Sequence, residues 1–305
     1  MAREATVKAY GGQAILGGVM MRGAATWAAA VRRPDGTIVT TGGRVPTWSR
    51  RWGKVPVVRG VIALVDSLRL GAKAMEWSAE ASELGGPVEV DDTPAGAERS
   101  RLPERIFTIV GVAVVLAVFF VVPGLVAKAI PGVSTGFRLS VVEGVIRIAL
   151  LIGYIGLLGL VPDLRRVYEY HGAEHKAVTA LEAGADLTPE SVQRFTTRHP
   201  RCGTTFLLVV MVVAVAVHTL VGHPGFVLLV VSRLALIPVV AGISYELMKA
   251  AAAHVDLPWV ARVLAPGLAL QRLTTREPTP EQVEVAIVAL TAVLDADSAA
   301  LPDAA

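Results

Sequence analysis

Leu139-Ser-Val-Val-Glu-Gly-Val-Ile-Arg-Ile-Ala-Leu-Leu-Ile-Gly-Tyr-Ile-Gly-Leu-Leu-Gly-Leu-Val161 is a run of 23 residues whose only charges are Glu143 and Arg147. As a helix it would rise about 35 Å, and about 20 apolar residues suffice for a hydrocarbon core of roughly 30 Å. The spacing therefore predicts a membrane span. Three further stretches read the same way: Ile106 to Ala127, Thr205 to Val221, and Phe226 to Tyr245. The last two are joined by a tight turn, Gly222-His-Pro-Gly225, and carry His218 and Arg233. The expectation is an α-helical integral membrane protein with four transmembrane helices plus a small α+β N-terminal cytoplasmic domain.

Composition agrees. The 305 residues are 53% hydrophobic and 18% charged, against about 25% charged in soluble domains. Mean hydropathy is +0.56. The apolar surplus is clustered, which argues against one large soluble core. A net charge of +3 makes no case for DNA. The single cysteine, Cys202, excludes an intrachain disulfide and reads as a thiol, a metal ligand or a buried apolar group. Ala14 to Met21 is too short and too glycine-broken for a secretory signal.

Basic residues sort by side. Arg99, Arg101 and Arg105 precede the first span. Arg165, Arg166, Lys176, Arg194, Arg198 and Arg201 lie between the second and third, and Lys249, Arg262, Arg272 and Arg276 follow the fourth. The opposite connections hold only Lys128 and Arg138. The positive-inside rule then places both termini and the 162–204 loop in the cytoplasm. Glu143 and Arg147, four apart, can pair on one helix face. One Glu and one Arg make no proton relay, so a structural pair is favoured, with Arg233 seeking a carboxylate such as Glu143.

Outside the membrane domain at 106–248, residues 1–82 read as short strands followed by an amphipathic helix. Ala28 to Val31 and Thr37 to Thr41 flank the turn Arg32-Arg-Pro-Asp-Gly36. Tyr10 to Gly23 reads as a glycine-rich strand and loop. The helix, 56–82, carries an apolar stripe of Val58, Val61, Ile62, Val65, Leu68, Ala72 and Met75. Its mixed charges argue for packing on the sheet rather than lying on lipid. Residues 83–105 read as a flexible linker. Residues 249–305 form a tail with a terminal helix from Pro280 to about Leu294, capped by Thr279.

The polar centre of the chain is Glu169-Tyr-His-Gly-Ala-Glu-His-Lys176, with His199-Pro-Arg-Cys202 beyond it. His171, Glu174 and His175 form H-x-x-E-H. On a helix the two imidazoles share a face and can reach one ion, with Glu174 placed as general base. The bland alternative is a helix end whose histidines bond to neighbours or headgroups. His199 and Cys202 add two more donors, and four of the chain's seven His and Cys residues fall here.

Together with Tyr10-Gly-Gly-Gln-Ala, Gly18-Val-Met-Met-Arg-Gly23, Gly242-Ile-Ser-Tyr-Glu246 and Leu270-Gln-Arg-Leu-Thr-Thr-Arg-Glu277, these motifs resemble the YqhQ-type family of bacterial membrane proteins. That family is labelled a domain of unknown function, and its members are termed predicted metal-dependent enzymes. The resemblance implies that His171, Glu174, His175, His199 and Cys202 are the characteristic polar residues. The same motifs add Tyr10, Gln13, Arg22, Glu246, Arg272 and Arg276 as further candidates. One departure is Gly17, where the family has Glu before Gly-Val-Met. Had that Glu been a ligand or base, Glu246 or Glu182 would have to supply the group.

The functional expectation is a metal-dependent enzyme at the cytoplasmic membrane face. His171, His175 and Cys202 would bind a divalent ion, zinc by its two N donors and one S. His199 would be a fourth ligand or a supporting group, and Glu174 would take a proton during hydrolysis of a peptide or lipid-linked substrate. The rival expectation is a non-enzymatic membrane scaffold assisting insertion, assembly or quality control of membrane proteins. Its basic loops would meet a translocon, ribosome or anionic lipid. A transporter is disfavoured by the absence of inverted repeats.

Overall fold

The computed structural model describes residues 10–45, 55–83, 110–111, 113–115, 117–133, 136–222, 225–254 and 257–300. Apart from Glu83, the linker expected at 83–105 lies outside the described residues, as do the last five residues.

Four strands, β1 (Gly11–Ile15), β2 (Gly18–Arg22), β3 (Thr26–Arg32) and β4 (Ile38–Arg44), form one antiparallel sheet in sequence order. Leu16 and Gly17 join β1 to β2, and Gly17 has φ +66°, a region that disfavours any Cβ. The β3–β4 turn closes through Asp35, which accepts from Thr37 N at 2.9 Å and Thr37 Oγ1 at 2.7 Å. β2 and β3 are buried on both faces, so alternation of polar and apolar residues is absent there.

One sheet face packs on α1 (Val58–Glu83) through Ile15, Met20, Trp27, Ala29 and Val31 against Leu70, Ala74, Trp77 and Ala81. Packing on the sheet matches the expectation, but the face differs. Of the expected stripe, Val58, Leu68 and Met75 are 40, 64 and 37% exposed. The helix has two apolar faces, and the one with small residues and Trp77 fits against the pleated sheet.

The other sheet face packs on α4 (Pro162–Glu182) and α10 (Pro280–Ala300), with Val19, Met21, Ala28 and Ala30 meeting Tyr170, Ala173, Ala177, Ala286 and Leu290. Thus α10 is an integral layer over the sheet. It starts with a reciprocal cap: Thr279 N donates to Gln282 Oε1 at 2.8 Å and Gln282 N to Thr279 Oγ1 at 3.4 Å. It ends six residues beyond the expected Leu294. There Asp297 accepts from Ala24 N, Ala25 N, Thr26 N and Thr26 Oγ1 at 2.8, 3.2, 2.7 and 2.6 Å.

Among the described residues three helical stretches are long and apolar enough to cross a membrane: α3 (Gly136–Leu158), α6 (Gly203–Val221) and Val230–Ala253. The last joins α7 (Phe226–Ala235) to α8 (Ile237–Ala253) through a turn at Leu236, just before Pro238. The first expected span is represented among the described residues by a shorter apolar helix within Ala113–Ala129. It contains a π-helical turn, Ala117–Val121, followed by α2 (Val122–Ala129). Pro123 has no N–H for the carbonyl of Phe119. That carbonyl accepts from Arg147 Nε at 2.8 Å instead. Arg147 Nη2 also donates to Glu143 Oε1 at 2.6 Å, and Arg233 Nη2 to Glu143 Oε2 at 3.2 Å. The pairing of Arg233 with Glu143 thus follows the expectation, and all three side chains are buried.

Two short-sequence readings differ. The 162–204 loop is largely helical, with α4 and the single turn α5 (Pro189–Val192). The tail contains a further helix, α9 (Pro258–Thr274), which carries Pro266 inside it. Gly267 lets α9 approach α6 closely: a Cβ there would lie 2.5 Å from Thr205 Cγ2.

Candidate functional site

His171 and His175 lie one turn apart on α4, with ring centroids 4.5 Å apart. Each is aimed by a backbone carbonyl. His171 Nδ1 is 2.9 Å from Thr274 O, and His175 Nδ1 is 2.6 Å from Thr197 O. A carbonyl only accepts, so both Nδ1 atoms carry the hydrogen and both Nε2 atoms present a lone pair. Such carbonyl partners are the usual support of metal-binding imidazoles.

The glycine of the motif makes this approach possible. A Cβ on Gly172 would lie 2.1 Å from Arg276 O and 3.3 Å from Thr197 Cγ2. The strand of chain after α9 runs against α4 at this bare position, held by Arg276 N donating to Tyr168 O at 2.9 Å. Lys176, also buried, ties the two flanking segments to α4 by donating to Gln193 O at 2.7 Å and pairing with Glu277 at 2.6 Å.

Cys202 caps the N-terminus of α6. Its Sγ lies 3.3 Å from His171 Nε2, 3.1 Å from Thr204 Oγ1 and 3.5 Å from Thr204 N. The donor atoms of His171, His175 and Cys202 all lie within 4.8 Å of one another. Tetrahedral coordination at Zn–N of 2.0–2.1 Å and Zn–S of 2.3 Å needs donor separations of roughly 3.3–3.6 Å. The His171–Cys202 pair already meets that, and the widest separation would close by about 1.2 Å. The donor set fits a divalent ion of the zinc type.

His199 stands outside this group. Its Nε2 faces Glu182 Oε2 at 3.1 Å and its Nδ1 accepts from Arg201 N at 3.4 Å. It supports the wall of the site instead of offering a fourth donor. Its backbone is clamped by the fully buried Gln271: His199 N donates to Gln271 Oε1 at 2.9 Å, and Gln271 Nε2 to His199 O at 2.8 Å and Thr205 Oγ1 at 2.9 Å. Glu182 is also bound by Arg201, whose Nη2 donates to Tyr10 O at 3.2 Å as well.

Glu174 is buried with one oxygen 3.5 Å from His175 Nε2. Gly12 gives it room, since a Cβ there would meet Glu174 Cγ at 3.0 Å and Met20 O at 2.3 Å. A cavity of about 500 Å³ opens over His171, Glu174, His175 and Cys202. Its other walls include Tyr10, Gln13 and Arg22 from the sheet, Ser67 from α1 and Tyr245 from α8. The sheet thus joins residues 10–22 to residues 171–202. Arg22 Nη1 approaches Ser67 Oγ at 3.4 Å, and Gly71 lets α1 reach Gln13, whose Nε2 would lie 2.6 Å from a Cβ. Burial, then the Asp297 carboxylate to which its hydroxyl donates, push the Tyr10 pKa up to about 12.

Three sequence candidates fall elsewhere. Glu246 binds the guanidinium of Arg59 and accepts from Val57 N at 3.2 Å, pinning α1 to α8. It therefore replaces no missing ligand. Arg272 and Arg276 are exposed and do not line the cavity; it is the carbonyl of Arg276, not its charge, that packs at the site. Gly17 sits at the β1–β2 turn, also outside the lining. Sequence reasoning missed Thr197, Thr274, Gln271 and Asp297, because two act through carbonyls that any residue has and two act across 72 and about 270 residues of chain. It also missed Asp66, a buried carboxylate with no hydrogen-bond partner among the described residues.

Comparison with known proteins adds identity at the family level. A family profile described as "Protein of unknown function (DUF1385)" matches residues 55–296. The uncharacterized protein YqhQ of Bacillus subtilis (strain 168) is 36% identical over 301 residues, covering 94% of this chain and 92% of the relative. No solved structure matches. With its motifs, its profile match and its relative aligned almost end to end, the chain belongs to the YqhQ-type family.

Proposed function

We propose that the protein is a metal-dependent hydrolase working at the cytoplasmic face of a bacterial membrane. One observation carries the reading: two carbonyl-oriented imidazoles and a thiol converge beside a buried carboxylate, at the floor of an open cavity. Three protein donors with an open side are the pattern of a catalytic rather than a structural site. When bound there, a zinc-type ion would supply Lewis acidity toward an oxygen of substrate or water. His171, His175 and Cys202 hold it. Glu174 accepts the proton of the attacking water, and Arg22 and Gln13 orient the substrate from the sheet side.

The placement rests on four spans with both termini inside. The sheet, α4 and α10 pack as one body, so residues 10–44 and 162–182 share a side. If α3 crosses, the chain must also cross an odd number of times between Glu83 and Gly136. The sequence there has one long apolar run, 106–129, which supports the first span. Loop charge supports the cytoplasmic assignment.

The test uses the full chain purified in detergent without chelator. Wild type should carry close to one divalent ion per chain, and His171→Ala or His175→Ala should lose it. Glu174→Gln should keep the ion and the fold yet fail to complement a strain lacking the gene, a general base being worth about 10²–10⁴-fold in rate. A wild type that holds no ion and takes none up ends the metal reading. Full complementation by Glu174→Gln would favour a scaffold for membrane-protein assembly.

A further inference from the structure

A second cavity, of about 750 Å³, lies along another face of α4. Asp163, Arg166, Val167 and Tyr170, spaced to share one side of the helix, form one wall. Arg32 and Arg33 from the β3–β4 hairpin and Ser82 from α1 form another. None of these residues lines the metal cavity. The lining carries three guanidinium groups against one carboxylate, with the charge of Arg32 also paired to Glu284. Arg32 is braced by Gly36 O at 2.9 Å and Glu284 at 2.5 Å, and Arg33 Nε donates to Ala81 O at 3.2 Å, so both groups stand in set positions. Arg166 is exposed. The Tyr170 hydroxyl, whose pKa burial raises further, is protonated at neutral pH and can donate.

The level of the cavity decides its ligand. α3 ends at Leu158 and α4 starts at Pro162. Counted from Val161, the last exposed apolar residue before α4, Asp163 and Arg166 lie about 3 and 8 Å further along at about 1.5 Å per residue. The polar layer of a bilayer is about 5–8 Å deep on each side. Leu157, Leu160 and Val161, leading up to the cavity, are 66, 75 and 43% exposed. Apolar surface for acyl chains therefore abuts a cationic cavity sized for a headgroup, a collar that a free anion has no use for. We infer that this cavity binds the phosphate headgroup of an anionic membrane phospholipid. The inference uses α3 as a span and none of the metal chemistry.

The experiment measures thermal unfolding of the full chain in neutral detergent, titrated with phosphatidylglycerol, phosphatidylcholine or millimolar inorganic phosphate, and counts retained lipids by native mass spectrometry. Phosphatidylglycerol should stabilise wild type well above phosphatidylcholine. Arg33→Glu with Arg166→Glu should weaken that binding by at least about 30-fold, from roughly 1 kcal/mol per basic residue near an anionic surface. Unfolding without lipid should stay close to wild type for Arg166→Glu, an exposed side chain, and fall modestly in the double variant, which also loses the Arg33 bond to Ala81 O; Arg166→Gln alone serves if the double variant does not fold. Equal response to the two lipids, or full discrimination retained by the variants, overturns the inference. Equal stabilisation by inorganic phosphate alone, lost in the variants, overturns the lipid assignment in favour of a soluble phosphate.

Discussion

Replacing Gly172 by alanine sets a methyl carbon 2.1 Å from the carbonyl oxygen of Arg276, where real Cβ contacts below 3.0 Å are essentially never seen. The segment after α9 must retreat by roughly 1 Å, an overpacking of about 1–3 kcal/mol. Alanine's higher helix propensity returns up to about 1 kcal/mol. Net stability should therefore fall by about 0–2 kcal/mol. The retreating segment begins with Thr274, whose carbonyl aims His171. Misaligning such a carbonyl typically weakens metal binding by about 10 to 100-fold. The signature is a loss of metal affinity worth about 1.4–2.7 kcal/mol that does not track the loss of metal-free stability. Competition against a chromophoric chelator measures the first, and thermal unfolding of the metal-free protein the second. Gly153→Ala in α3, with no atom within 4 Å of its added Cβ, is the control and should leave metal affinity unchanged while raising stability by at most about 1 kcal/mol. If Gly172→Ala binds metal as wild type does, carbonyl orientation of His171 has no part in the site.

Two further outcomes follow from buried charge. Asp297→Asn weakens four hydrogen bonds to the β2–β3 turn and should cost about 2–3 kcal/mol, read by thermal unfolding. In wild type, Tyr10 keeps its proton to about pH 12 when folded and to about 10 when unfolded. Its contribution is complete below pH 10 and lost as pH rises through 12; tyrosinate absorbance should show the Tyr10 step moving down in Asp297→Asn. Glu143→Gln leaves Arg147 and Arg233 buried without their shared carboxylate, a loss of about 3–5 kcal/mol. Adding Arg233→Leu should recover part of it, and failure to recover would disconnect Arg233 from the pair.

The apolar runs, the H-x-x-E-H spacing and the Thr279 cap were legible in the sequence because each is a local property. Periodicity and length are carried by neighbours along the chain. The face of α1 was misassigned because two apolar faces compete and only the sheet chooses between them. The first expected span passes through a π-helical turn just before Pro123, where Phe119 O takes Arg147 from another helix. At the site, sequence by itself named His171, Glu174, His175 and Cys202 as one chemistry. Tertiary structure alone turned His199 toward Glu182 and sent Glu246 to Arg59. It also brought Tyr10, Gln13 and Arg22 over the histidines. The carbonyls of Thr197 and Thr274, which orient both imidazoles, have no signature in residue type. Their role exists only where a bare Gly172 lets distant backbone come within hydrogen-bond reach of α4.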